Sequence, residues 1–419
     1  MRIAFAVAAA TLTLPTKAAI VEPRKNSPAK GSTKFTLEEV RNENFQGHDA
    51  INAFVKAHLK YGDSLPPQMS QAIENNPDLQ LRFTTLYNNT QRGTVKSTAP
   101  AKYDSEFAVT VQIGTPGQKV PLNLDTGSAD LWVFSSETYS SVVNGQALYH
   151  PENSSTSRLL PGHSWQVKYG DGAGASGIVY KDKVQVGDSH FDQQAVQAAI
   201  TVSSEIANDT FTSGIIGLAN SGVNTIRPNK QRTYIDNVKD LLEEPVFTAN
   251  LRKAAPGNYN FGYINKTEHT GEIQYAAVNP TSPYWQITVS GYQVGENPFE
   301  RRPWNAIVDT GTSLLLLPAD IVYDYYKRIP DAGLDLKLGV ITFPCNAKPP
   351  DFTFGLGPYR GHIPGEYMNY AKIDSKYCYG GIQTSKGMPF AVLGDVALKA
   401  QFVVFNYAKG LVGFANKKL

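Results

Sequence analysis

Two short runs in this 419-residue chain place an acid in nearly identical frames. Leu122-Asn-Leu-Asp-Thr-Gly-Ser128 and Ala306-Ile-Val-Asp-Thr-Gly-Thr312 each carry an apolar approach, Asp-Thr-Gly and a hydroxyl residue, with an apolar exit through Leu131-Trp-Val-Phe134 or Leu314-Leu-Leu-Leu317. One Asp-Thr-Gly is ordinary turn chemistry, because Asp and Gly both favour turns. Two in matched frames point to a repeated device. The apolar strand delivers each carboxylate to a strand end, where glycine lets the backbone turn tightly. If Asp125 and Asp309 meet in a shielded cleft, the two like charges cannot both ionise easily and share a proton. One is then base and the other acid, which suffices to activate water against an amide carbonyl without metal, cofactor or covalent intermediate.

The elements that must position these carboxylates are mostly strands. Phe107, Val109, Val111 and Ile113 alternate with Ala108, Thr110 and Gln112, and Gly114-Thr-Pro-Gly117 supplies a turn. The same alternation recurs at 165–169, 178–186, 285–294 and 402–414, and helical candidates after residue 103 are confined to 233–242 and 319–328. Each Asp-Thr-Gly is followed about 80 to 90 residues later by a second match, Ile215-Ile-Gly-Leu218 or Val392-Leu-Gly-Asp395, which predicts a duplicated lobe. The reading is all-β and bilobal, with lobes at 98–270 and 271–419.

Composition narrows the alternatives. Charged residues are 18%, and Gly 35, Pro 26, Tyr 22 and Phe 19 favour strands and turns over a helical bundle. Lys and Arg total 39 against 37 acids with no long basic block, so a nucleic-acid footprint is missing. Two cysteines and no His-Glu-x-x-His run argue against zinc. Gly172-Ala-Gly-Ala-Ser-Gly177 fits a dinucleotide fingerprint in letters, but 178–186 alternates like a strand where that fingerprint needs a helix. No Gly-x-Ser-x-Gly is present for a serine-hydrolase elbow.

Residues 1–19 run as an early charge, an apolar stretch from Ile3 to Leu14 and small residues at Ala18 and Ala19, as a secretory signal does. The stretch is too short to span a membrane. Export follows, with vacuolar delivery as the minor alternative, and an oxidising destination permits a bridge between Cys345 and Cys378. Residues 20–97 differ in character from the remainder of the chain, with 10 basic and 8 acidic groups, helix-like stretches at 37–40 and 51–59, and breakers at Pro66-Pro67. The chain beyond residue 97 carries a formal charge of −2.

From about residue 103 onward the chain resembles a pepsin-family aspartic endopeptidase, close to the secreted fungal aspergillopepsin and penicillopepsin group. The motifs that carry the resemblance are Leu124-Asp-Thr-Gly-Ser-Ala-Asp-Leu-Trp-Val133, Tyr169-Gly-Asp-Gly172, Ile307-Val-Asp-Thr-Gly-Thr-Ser313 and Val392-Leu-Gly-Asp-Val396. The resemblance implies the bilobal pepsin-like fold with a deep cleft, Asp125 and Asp309 as the catalytic pair, and no metal or cofactor. It implies that Ser128 and Thr312 bond the outer oxygens of the pair, that Gly127 and Gly311 give backbone support, and that Thr126 and Thr310 interlock the lobes. The hairpin around 165–186 corresponds to a flap, with Tyr169 bonded by Trp132 and with Gly170 and Asp171 contacting substrate backbone. Large apolar groups flanking the cut, and Lys before it through Asp171, are the implied substrates.

Two departures stand out: Ala173 and Gly174 follow Tyr169-Gly-Asp-Gly172 where fungal relatives usually have two serines, and Thr212-Ser213 precede Gly214 where many have an acid. The resemblance also implies a disulfide between Cys345 and Cys378 and makes 20–97 an activation propeptide. In that propeptide Lys60-Tyr61 plugs the carboxylate pair and lowers the pKa of both acids, and it is cut away between about 93 and 100. The chain is expected to be a monomer whose partners are peptide substrates and its own propeptide, with no nucleic acid and no membrane anchor. Asn88, Asn153, Asn208 and Asn265 head glycan-acceptor patterns. A different class of protein remains an alternative, a pepsin-like chain that binds peptides or inhibits without cleaving. Loss of one Asp-Thr-Gly would favour it, and both are intact.

Overall fold

The computed structural model describes residues 31–43, 45, 47–62, 64–81, 107–168 and 174–419, apart from the side chains of residues 204 and 205. The expected signal at 1–19, the expected cut site and Asn88 lie outside the described residues. Strands dominate, as the alternation predicts. In Phe107–Ile113, Val109, Val111 and Ile113 are buried while Thr110 is exposed.

The first lobe is an eight-stranded sheet in the order 40–41, 107–113, 118–125, 214–217, 131–133, 189–202, 174–186, 158–168. An extra pairing of 107–113 with 174–186 folds it back on itself. The second lobe holds a five-stranded sheet in the order 286–289, 304–308, 391–393, 315–317, 382–384, with smaller sheets beside it.

The duplication is visible in the pairings. Gln118–Asp125 runs parallel to Gly214–Gly217 with Asp125 opposite Gly217, and Leu131–Val133 lies antiparallel on the other side. In the second lobe Trp304–Val308 runs parallel to Ala391–Leu393 with Val308 opposite Leu393, and Leu315–Leu317 lies antiparallel. Each Asp-Thr-Gly therefore caps a strand held between two neighbours, and all three of Leu315–Leu317 are buried.

A six-stranded sheet joins the lobes in the order 35–38, 258–261, 246–250, 401–406, 411–416, 270–277. The boundary drawn at 270/271 falls on the first residues of one of its strands. Its core is aromatic: Phe247 stacks on Phe405 at 4.4 Å between ring centroids and on Phe261 at 5.6 Å.

The leading segment corrects one expectation. Residues 37–40, read as helix-like, form strands Phe35–Glu38 and Val40–Arg41, the first pairing Phe35 with Phe261 and Leu37 with Tyr259. Sheet-edge hydrogen bonds and Phe35–Phe261 stacking at 5.0 Å override the local helix preference of Leu37-Glu-Glu39. The next expectation holds. Helix Ala50–Tyr61 starts where the Asp49 carboxylate accepts from Asn52 N–H at 3.0 Å, and it buries Ile51, Phe54, Val55 and His58 at i, i+3, i+4 and i+7. Pro67, read as a breaker, instead opens helix Pro67–Asn75, because proline is tolerated in a first helical turn. The candidate at 233–242 shortens to Tyr234–Val238, capped by Thr233, and 319–328 to Ala319–Tyr326.

Cys345 and Cys378 form a disulfide that ties the end of Val340–Pro344 to Tyr377–Gly380. With a sequence separation of 33, replacing both cysteines by serine is expected to cost about 3–4 kcal/mol through the freed unfolded chain. Denaturant unfolding at pH 7 checks this, and an unchanged midpoint contradicts it.

Candidate active site

The loops after the two capped strands meet across the lobe boundary. Thr126 N–H donates to Thr310 Oγ1 at 3.1 Å and Thr310 N–H to Thr126 Oγ1 at 3.0 Å. Each hydroxyl also reaches the strand that feeds the opposite loop: Thr126 Oγ1 donates to the Val308 carbonyl at 2.9 Å, and Thr310 Oγ1 to the Leu124 carbonyl at 2.7 Å. These four bonds fix one Asp-Thr-Gly against the other. Gly127 N–H and Gly311 N–H each donate to Oδ1 of their own aspartate at 2.8 Å. Neither position has room for a side chain, because an added Cβ would collide with the carboxylate of the opposite loop. Trp285 Nε1 bonds the Leu218 carbonyl at 3.1 Å and so pins the second lobe to the first beside this junction.

Asp125 and Asp309 are buried, at 2% and 0% exposure. Helix Ala50–Tyr61 ends directly on them. Lys60 Nζ lies 3.0 and 3.1 Å from the two Asp125 oxygens and 3.3 Å from Asp309 Oδ2. Tyr61 Oη donates to Asp309 Oδ2 at 2.7 Å. Its ring stands edge-on to Tyr284 and Phe390, with centroids 5.3 and 5.5 Å away. The expected plug contacts are thus present at both residues.

The electrostatics of the pair are uneven. Burial pushes both carboxyl groups up, and at Asp125 it prevails over the attraction of Lys60, so that group sits above the usual carboxylate value. At Asp309 the same burial is outweighed by Lys60 and by hydrogen bonds that include Thr312 and Tyr61, and the pKa falls to about 2. Burial lowers the Lys60 pKa, but the two carboxylates more than reverse this. Lys60 pulls both acids down, but the expected net fall appears at Asp309 alone, because desolvation wins at Asp125.

A second correction concerns the outer hydroxyls. Thr312 Oγ1 donates to Asp309 Oδ2 at 2.5 Å as expected. Ser128 Oγ is near enough to lower the Asp125 pKa, as the smallest of the influences on it, yet has no partner of hydrogen-bond geometry among the described residues. Lys60 takes both Asp125 oxygens in its place. Of the flap, Trp132 is buried against Trp165 with ring centroids at 6.0 Å, while Tyr169, Gly170 and Asp171 lie outside the described residues. Of the glycan acceptors, Asn153 and Asn208 are exposed, and Asn265 is half-buried with its Nδ2 donating to Glu268 Oε1 at 3.0 Å.

Sequence reasoning missed three residues here. Tyr284 and Phe390 wall the space that Tyr61 fills, and no local pattern distinguishes either from an ordinary core aromatic. Asp130 follows the first motif and is raised to about 6 by burial, against hydrogen bonds from Thr225. Asn224 and Thr225 anchor its Oδ1 at 2.9 Å each. Its signal was present in Asp125-Thr-Gly-Ser-Ala-Asp130, as a second acid on the same loop.

Two pseudo-symmetric β lobes whose hydrogen-bonded loops bring a buried pair of aspartates to their junction define a bilobal aspartic hydrolase. A sequence model described as eukaryotic aspartyl protease matches residues 106–417, and the chain belongs to that family. Endothiapepsin of Cryphonectria parasitica is 42% identical over 98% of this chain and 97% of its own length. Podosporapepsin of Podospora anserina is 41% identical over 98% and 97%, and penicillopepsin-3 of Penicillium janthinellum 39% over 93% and 94%. The protein is an aspartic endopeptidase.

Proposed function

We propose that this chain is the zymogen of a secreted, acid-acting endopeptidase in which Asp125 and Asp309 activate water and Lys60 holds the site shut until acid releases it. The observation that carries the reading is the Lys60 ammonium seated between two buried carboxylates, where a water and a scissile carbonyl would otherwise sit. In the opened cleft the pair loses this cation, so one carboxyl keeps its proton and serves as acid while the other is the base. The Gly127 and Gly311 amides, together with Thr312, hold the two groups in fixed orientation throughout. Residues 1–19 support export, as does the bridge between Cys345 and Cys378. No helix among the described residues is long and apolar enough to cross a membrane.

The acid response follows from the two unequal pKa shifts. Asp309, lowered to about 2, contributes stability to the closed form that is full above the ordinary carboxylate range and is lost as pH falls towards 2. At Asp125 the ammonium also pulls the pKa down against the stronger effect of burial, so the open form, which lacks Lys60, takes up a proton more readily and is favoured as pH falls. Weakened attachment of the plug lets the cleft open and self-cleavage follow. Tyr61, between Tyr284 and Phe390, marks where a large apolar substrate side chain would sit beside the carboxylates. Lys before the cut would pair with Asp171 of the flap.

Three outcomes are expected. Asp125→Asn or Asp309→Asn abolishes peptide hydrolysis at acid pH with folding nearly unchanged, and appreciable turnover by either purified variant refutes the assignment. Lys60→Met leaves two buried carboxylates without a cation, a loss of about 3–5 kcal/mol to the closed form. Its precursor therefore self-processes at a higher pH than wild type in a pH series read on gels, and an identical conversion profile contradicts the plug. Asp171→Ser lowers kcat/KM for peptides with Lys before the cut more than for those with Phe. Equal loss on both removes Asp171 from specificity.

A further inference from the structure

Beyond Tyr61 the leading segment makes a second attachment that involves neither carboxylate. Helix Pro67–Asn75 lies on the turn that joins Gly333–Asp335 to Val340–Pro344 in the second lobe. Met69 and Ala72, at i and i+3 on one face of the helix, are completely buried there. The approach is backbone to backbone. A Cβ added at Gly339 would lie 2.8 Å from Met69 Cα, 3.0 Å from Ala72 Cβ and 3.1 Å from the Gln68 carbonyl oxygen. Gly339 also has φ +69, the left-handed region, and the turn is fixed by its N–H donating to the Asp335 carbonyl at 2.7 Å. At the end of the helix Asn76 Nδ2 donates to the Lys337 carbonyl at 3.0 Å.

We propose that the 335–340 turn is a docking surface for the helix Pro67–Asn75, separate from the carboxylate site, and that it captures the prosegment in trans once this has been excised. The inference rests on reading residues 20–97 as an excised prosegment. The surface fits a helix with an unbranched apolar residue and an alanine at i and i+3 and an amide side chain just past its C-terminus. When the helix leaves, the bared turn adjoins Leu334 and Leu336, already 43% and 74% exposed, and the apolar patch grows. The contacts named here are made by backbone, methyl and amide atoms, with Glu74, Asp335 and Lys337 the titrating groups on the two elements, whereas the Lys60 contact is itself an ion pair. The short stretch between Tyr61 and Pro67 makes the two attachments one bivalent ligand, so each raises the effective concentration of the other.

The test adds a synthetic peptide spanning residues 50–81 to the mature enzyme and measures inhibition of cleavage of a short chromogenic peptide. The expected result is inhibition of wild type, weakened at least about tenfold by Ala72→Leu in the peptide. A comparable loss is expected for Gly339→Asn in the enzyme, with kcat/KM for the short substrate unchanged. Asparagine tolerates the left-handed conformation, and the peptide variant alters no enzyme residue, so misfolding cannot account for its effect. A Lys60→Met peptide separates the two readings. If it inhibits less well than the parent while Ala72→Leu inhibits equally, the docking surface is overturned and the prosegment reading stands. If the parent peptide does not inhibit at all, the prosegment reading fails and the docking surface with it.

Discussion

Two carboxylates buried against each other at the junction of two lobes are the constraint around which this molecule is organised. Like charges in a low-dielectric site repel, and burial alone pushes each towards its neutral form. The structure answers with three layers of support. Reciprocal threonine bonds hold the loops in register, glycine amides hold one oxygen of each acid, and the Lys60 ammonium, the Tyr61 phenol and the Thr312 hydroxyl hold the rest. Removing the ammonium and the phenol leaves a pair that can lower its energy only by sharing a proton, which is the state acid–base chemistry on a peptide bond requires.

The pseudo-symmetry is faithful in the backbone and broken in the electrostatics. Both loops share strand order, glycine placement and threonine interlock, yet Asp309 is held ionised while Asp125 is pushed the other way. Named contacts account for the difference. Thr312 and Tyr61 both donate to Asp309 Oδ2, whereas among the described side chains Lys60 is the one that bonds Asp125, beside the Gly127 amide. A duplicated scaffold can thus present one acid and one base from the same motif.

Much of this was legible in the sequence because the site is built from local motifs. The paired Asp-Thr-Gly frames gave the carboxylates and their tight glycine turns, the family resemblance implied the glycine supports and interlocking threonines, and period-two alternation gave the strands on which they sit. What was not legible depends on partners distant in the chain. Residues 37–40 carry helix-favouring letters and became strands because Phe261 and Tyr259 offer a sheet edge. Tyr284 and Phe390 acquire meaning only from Tyr61, which lies more than two hundred residues away in sequence. The unequal pKa values reflect burial and hydrogen-bond geometry that no motif encodes.

The coupling between Lys60 and Asp309 is the most direct measure of whether the closed state rests on charge neutralisation. A double-mutant cycle on the full-length precursor at pH 7, using Lys60→Met, Asp309→Asn and the two combined, reads it from unfolding free energies. The account predicts strong non-additivity, with a coupling energy above about 2 kcal/mol, because methionine alone forces the buried pair to take up a proton at pH 7, a cost that the added Asp309→Asn change removes. Additive effects within about 0.5 kcal/mol would show that the ammonium and the carboxylate do not stabilise one another, and would contradict the account.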